Sequence, residues 1–253
     1  AGIYTQADVS AMAALLTGWR VSAEGEATAF DAAWHEPGDK PVLGRRYAEG
    51  PQALRALLHD LAQHPATATH LCTKLARHVV ADEPPPALVE RLVQAWRHSD
   101  GRLDAVTRAL VASPEAWVEA PAKLKTPEEF VISALRLLGP EGAGLDSGLR
   151  GAAARASGVA AVAGLGQRLH HAPSPAGWGD RADDWLGPDA VWKRIEWATR
   201  VADRLGSKVD ARAVATRSLG PLLGADGLQQ IERAADGPQA LALLLMAPAF
   251  QRR

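Results

Sequence analysis

Leucine, valine and alanine recur three and four residues apart along most of this chain, and proline cuts the pattern into short lengths. That spacing places apolar side chains on one face of an α-helix, while a proline inside a helix removes a hydrogen bond and clashes with the turn before it. A chain patterned this way can bury its apolar surface only as a set of short helices packed on one another. Strand-rich runs of Val, Ile, Thr and Tyr are scarce, whereas Ala, Leu and Arg dominate. Leu54, Leu57, Leu58 and Leu61 form one stripe. Leu71, Leu75 and Val79 form another, in a helix begun at Pro65 and stopped by Asp82-Glu83-Pro84-Pro85-Pro86. Leu88, Leu92 and Trp96 follow, then Leu103, Val106 and Leu110, halted at Ser113-Pro114.

The clearest start signal is Thr126-Pro127-Glu128-Glu129, with an N-cap Thr, Pro at the first helical position and Glu closing a capping box. Its helix runs to Leu138 and stops at Gly139-Pro140. Thr5 and Asp8 predict a capped helix to Leu16. Further helices are expected over 146–163, 189–205, 210–218, 226–235 and 237–246. Val21 to Tyr47, with Gly25, Pro37-Gly38 and Gly44, does not fit helix and reads as a small β-hairpin or an ordered loop. The fold class is therefore all-α, a multi-helix bundle-like domain with one irregular or β-hairpin insertion near residues 21–47. A shift towards Gly and Ala at 139–166 divides the chain into a helical domain at 1–139 and a C-terminal helical subdomain at 140–253 packed on it.

Composition narrows the function classes. Hydrophobic residues make up 47% and charged residues 23%, which is globular rather than disordered. The net charge of −1 gives no field for nucleic acid or an anionic membrane, and the basic residues of 190–217 are scattered rather than striped. No apolar run approaches the ~18 residues of a membrane span. A single cysteine, Cys72, excludes an intramolecular disulfide and a cysteine zinc cage, and its position beside Leu71 and Leu75 predicts a buried, inert thiol. The opening Ala1-Gly2-Ile3-Tyr4 has neither a signal peptide nor an initiator Met and reads as a cut within a longer chain.

No nucleophile elbow, phosphate-cradling Gly-Lys-Ser/Thr loop, dinucleotide glycine turn or His-Glu-x-x-His pair occurs, so no catalytic residue, metal or cofactor is assigned. His170-His171 with Asp180, Asp183 and Asp184 could build a metal loop, but a solvated loop is the simpler reading. The most specific pattern is His70, Lys74 and His78, four apart on one helical face with Arg77 beside them. Such a row holds a loop by hydrogen bonds, lines an anion-binding cleft or is an ordinary wet face. The loop bearing His35, Asp39 and Lys40 is the candidate to lie over it, with Lys74 reaching Asp39 or a carbonyl of residues 35–44. Trp178 and Trp185 flank a Gly/Pro loop and serve either as core plugs or as a stacking wall for a sugar, whereas Trp19, Trp96 and Trp117 read as core. The candidate ligand-binding residues are His35, Lys40, His70, Lys74, Arg77, His78 and Trp178.

Several segments carry a family resemblance. They are Tyr4-Thr5-Gln6-Ala7-Asp8-Val9, Leu16-Thr17-Gly18-Trp19, His35-Glu36-Pro37-Gly38-Asp39-Lys40, Val42-Leu43-Gly44, His64-Pro65-Ala66-Thr67-Ala68, Lys74-Leu75-Ala76-Arg77-His78-Val79-Val80 and Asp82-Glu83-Pro84-Pro85. Lys123-Leu124-Lys125-Thr126-Pro127-Glu128-Glu129-Phe130, Ala176-Gly177-Trp178 and Pro248-Ala249-Phe250-Gln251-Arg252-Arg253 follow in order. Together they resemble the bacterial family catalogued as domain of unknown function 1800, in its C-terminal portion. The family's N-terminal portion is absent, and its late Pro-Pro-Asn-Val loop is replaced here by Ala172-Pro173-Ser174-Pro175-Ala176. The resemblance implies an exported, periplasmic or extracellular protein that works beside an exported sulfatase-like partner. The expected function is a binding or scaffold module acting with that separately encoded partner. The alternative is a hydrolase whose catalytic residues lie partly in the missing N-terminal portion.

Overall fold

The computed structural model describes residues 3–21, 25, 27–117, 120–143, 158–205 and 208–253. Helix accounts for 63% of these, in ten α-helices and a few single 3-10 turns, with two small antiparallel hairpins as the extended structure. Ala1–Cys72 with Val89–Ala109 form one compact unit, and Thr73–Leu88 with Leu110–Arg253 form another. Proline opens five of the helices, at Pro51, Pro65, Pro86, Pro127 and Pro188. Its missing N–H costs nothing there, because the first turn has no intrahelical acceptor to use.

In the first unit, α1 (Gln6–Leu16) starts on the expected capping box: Thr5 Oγ1 accepts from the Asp8 N–H at 3.3 Å, and Asp8 accepts from the Thr5 N–H at 2.7 Å. The insertion holds two hairpins where one was expected. Strand β1 (Trp19–Val21) pairs with β2 (Thr28–Phe30), and β3 (Lys40–Val42) pairs with β4 (Arg45–Tyr47). The β3–β4 turn puts Leu43 at φ 51° and Gly44 at φ 76°, as a two-residue hairpin turn of the primed type requires. Leucine is unusual at such a φ, and the Leu43 N–H is held at 2.7 Å by the other oxygen of Asp8. Leu15, Val42, Tyr47, Ala53 and Leu57 form the core under α2 (Pro51–Gln63).

Helices α3 (Pro65–Val79), α4 (Pro86–His98) and α5 (Leu103–Ala112) occur where their patterns place them. The buried face of α3, however, is Ala68, Cys72 and Ala76, continued by Val80. Leu71 and Val79 of the expected apolar stripe are 40% and 42% exposed. Both rows repeat every four residues and lie one residue apart, and the row of smaller side chains is the buried one. Cys72 is buried as expected, and desolvation pushes its thiol pKa up.

In the second unit, α6 (Pro127–Ala143) begins on the second capping box, Thr126–Glu129, and leaves helical geometry at Gly139 (φ 57°). The described part of the helix expected over 146–163 is α7 (Gly158–Gly164), while 144–157 lie outside the described residues. Helix α8 (Pro188–Leu205) is followed by α9 (Ala211–Glu232), interrupted at Gly224, and α10 (Gly237–Met246). Phe130, Trp197, Val201, Leu241, Leu244 and Phe250 lie at the centre of the core, with Phe130 meeting Trp197 edge-on at 5.2 Å. Trp117 is not core: it is 72% exposed, and its indole N–H donates to the Val111 carbonyl at 2.8 Å.

Candidate functional site

Of the candidate ligand-binding residues in the first unit, Lys40 is the most buried. It stands at the start of β3, and its ammonium donates to the carbonyls of Glu36 (2.7 Å), Pro37 (3.0 Å) and Gly38 (2.5 Å). An ammonium has three N–H groups, so Lys40 is fully occupied in closing its own loop. His35 is occupied at Nδ1, which donates to the Thr17 carbonyl at 2.8 Å, and its ring packs edge-on to Phe30 at 5.1 Å. Thr17 Oγ1 accepts from the Glu36 N–H at 2.8 Å. The Leu16–Trp19 and His35–Lys40 segments thus tie each other together. His70 is exposed.

In the second unit, Lys74 is exposed, and no described residue pairs with it. The anchoring of the 35–44 loop expected of it is not made, and the buried lysine of this unit is instead Lys123, whose side chain is only 2% exposed. Lys123 donates to Asp82 Oδ1 at 2.5 Å and to the Asp180 carbonyl, with Asp180 Oδ1 at 3.6 Å. Asp82 Oδ2 accepts from the Ala182 N–H at 2.7 Å. Burial raises the Asp82 pKa, but the Lys123 hydrogen bond and the Ala182 N–H outweigh it and hold the carboxyl below its ordinary value. His78 Nδ1 lies 3.1 Å from Asp180 Oδ1, and Arg77 Nε donates to the Asp82 carbonyl at 3.0 Å.

The C-terminal motif is bound into the same unit. Lys123 and Arg253 exchange backbone hydrogen bonds (3.2 and 2.9 Å). Buried Arg194 donates to Gln251 Oε1 and to the Lys125 carbonyl, each at 2.7 Å, and desolvation lowers its pKa to about 10 against the opposing pull of Glu129. Lys125 donates to the Phe250 carbonyl at 2.7 Å from above that ring, and desolvation brings its pKa down to about 8. These charges hold strands of backbone together.

A concave site among the described residues of this unit keeps polar groups available. It is a cleft of about 320 Å³ lined by Trp178, Trp185, Asp184, Asp189 and Lys193, with Leu165 in its apolar part. Trp185 is buried, and its indole N–H donates to the Gly179 carbonyl at 3.1 Å. Trp178 is half-buried, its ring 5.8 Å from that of Trp185 and tilted by 45°. Asp184 Oδ2 accepts from the Arg181 N–H at 2.9 Å, and Lys193 pairs with Asp189 at 2.5 Å, one turn apart on α8. Lys74, Arg77 and His78 do not line this cleft. Gly177-Trp178 was the sequence signal for it; Lys193, on a helix read only as amphipathic, gave none.

Among the described residues, no group of three His, Cys, Asp or Glu side chains is suited to a metal ion, and no helix is long and apolar enough to cross a membrane. No curated protein and no solved structure matches the chain. The sequence model of the family described as "Protein of unknown function (DUF1800)" matches residues 1–252. The chain, whose family-like segments are tied together by Lys40 in one unit and Lys123 in the other, belongs to this DUF1800 family.

Proposed function

We propose that this chain is a binding module of an exported bacterial protein, that it acts with a separately encoded partner, and that its ligand seats a sugar ring in the Trp178 cleft. The observation that carries the reading is the pairing of a fixed indole with a half-exposed one. Trp185 is buried and anchored through its N–H, and Trp178, half-buried, stands 5.8 Å from it and lines the same cleft. An indole offers a large apolar face to the C–H side of a sugar ring, and the nearby carboxylates and ammonium can take its hydroxyls. The fate of the other cations supports a module that binds through this cleft: Lys40, Lys123 and Arg194 use their donors inside their own units.

The test is calorimetric titration of an N-acetylglucosamine tetramer into the native chain, Trp178→Phe and Trp178→Ala. Binding is expected for the native chain, retained within a few-fold by Phe and lost in Ala, with unchanged circular dichroism. Equal binding by native and Ala chains sinks the reading. Hydrolysis of the tetramer by a longer protein that includes a preceding segment would instead favour the hydrolase alternative.

A further inference from the structure

We infer that the Trp178 cleft selects neutral and amino sugars against acidic or sulfated ones; the inference rests on the binding reading above. The cleft carries two carboxylates, Asp184 and Asp189, against one ammonium, Lys193. That ammonium is already engaged by Asp189 at 2.5 Å. Arg194, next to Lys193 in sequence, donates to Gln251 and to the Lys125 carbonyl, and Arg181 turns its guanidinium to Glu83 at 2.7 Å and offers the cleft's carboxylate its backbone N–H instead. An anionic ligand therefore meets net negative charge and a cation with a prior partner.

The unspent group points the same way. Asp184 Oδ2 takes the Arg181 N–H, and among the described residues no hydrogen bond reaches Oδ1. A carboxylate oxygen only accepts, so the ligand group that meets it must donate, as a hydroxyl or an ammonium does. Gly179 permits this placement: a Cβ there would collide with the Asp184 carboxylate, so glycine is what lets an acid sit against the backbone between Trp178 and Asp180. Gly179 also accepts the Trp185 N–H through its carbonyl at 3.1 Å. One glycine thus fixes both the deep indole and the free acceptor.

The experiment compares three tetramers on the full chain at low and high salt: N-acetylglucosamine, glucosamine and galacturonate. The native chain should bind galacturonate about tenfold or more weakly than N-acetylglucosamine, with glucosamine at least as tight as N-acetylglucosamine. Added salt should narrow the gap between the two charged ligands and leave the neutral one unchanged. Asp184→Asn, which keeps an acceptor for Arg181, should narrow the same gap at low salt. Gly179→Ala should do so without changing any charge. Galacturonate binding as tightly as N-acetylglucosamine would overturn the inference while leaving the binding reading intact. Binding of none of the three overturns both. Unchanged discrimination in Asp184→Asn, with its circular dichroism intact, would remove Asp184 from the selection.

Discussion

Each unit buries a lysine, and the two do it differently. Lys40 surrounds its ammonium with three carbonyls from residues two, three and four positions earlier. Lys123 surrounds its own with Asp82 and Asp180, which lie 41 and 57 residues away. The first is a local staple built from neutral dipoles, and it closes one loop. The second is a long-range ion pair that binds three separate segments, and it carries a charge that must be balanced. Carbonyls near the surface find water if the lysine is lost, whereas two carboxylates that are only 31% and 26% exposed keep their charges side by side at a greater cost. The contrast sets an order of consequences.

The largest effect should come from Lys123→Met. It leaves Asp82 and Asp180 without their buried cation, though Arg181, His78 and the Ala182 N–H stay beside them, at a cost of about 2 kcal/mol. Denaturant titration followed by a probe in the second unit should show the midpoint fall; an unchanged midpoint would reduce Lys123 to a bystander. Lys40→Met keeps the apolar stem and strands three carbonyls beside solvent, so about 1 kcal/mol is expected in the same measurement. A Lys40 effect equal to that of Lys123 would erase the contrast.

A smaller effect distinguishes the two by pH. The folded pKa of Asp82 is below its unfolded value, with burial opposing the shift and the Lys123 hydrogen bond leading the groups that outweigh it. The unfolded chain therefore takes up the proton first as pH falls. The stabilisation is present in full above the unfolded value of about 3.9 and is lost as pH falls through the lower, folded one. Lys123→Met removes the leading part of the lowering and leaves the burial, with the Ala182 N–H and Arg181 still acting the other way, so its acid unfolding should begin at higher pH than in the native chain. Lys40→Met should follow the native acid profile, because among the described residues that ammonium meets only carbonyls.

What could be read in advance divides along the same line. Thr5–Asp8 and Thr126–Glu129 were legible because a capping box is complete within four residues. The Gly139 break and the first turns at Pro65 and Pro127 were legible for the same reason. The buried face of α3 was not. Leu71, Leu75 and Val79 share their period with Ala68, Cys72 and Ala76, so spacing leaves the phase open, and only packing chooses the smaller row. In the candidate site, Trp178 was visible as an aromatic in a Gly/Pro loop. Lys123 was not: its burial depends on Asp82 and Asp180, and no spacing rule joins residues so far apart. Lys193 was hidden because an i, i+4 pair with Asp189 looks the same on any wet helix face.

Both units turn charged side chains of their family-like segments inward, and the proposed binding falls to the Trp178 cleft. The chain contains its own controls, because Trp34, Trp117 and Trp192 are 67%, 72% and 60% exposed and lie outside that cleft. The most direct measurement is a titration of N-acetylglucosamine tetramer followed by the assigned indole N–H resonances of all eight tryptophans. The account predicts saturable shifts at Trp178 and Trp185, with Trp34, Trp117 and Trp192 unmoved. Shifts confined to the three exposed tryptophans, or none at Trp178, would contradict it.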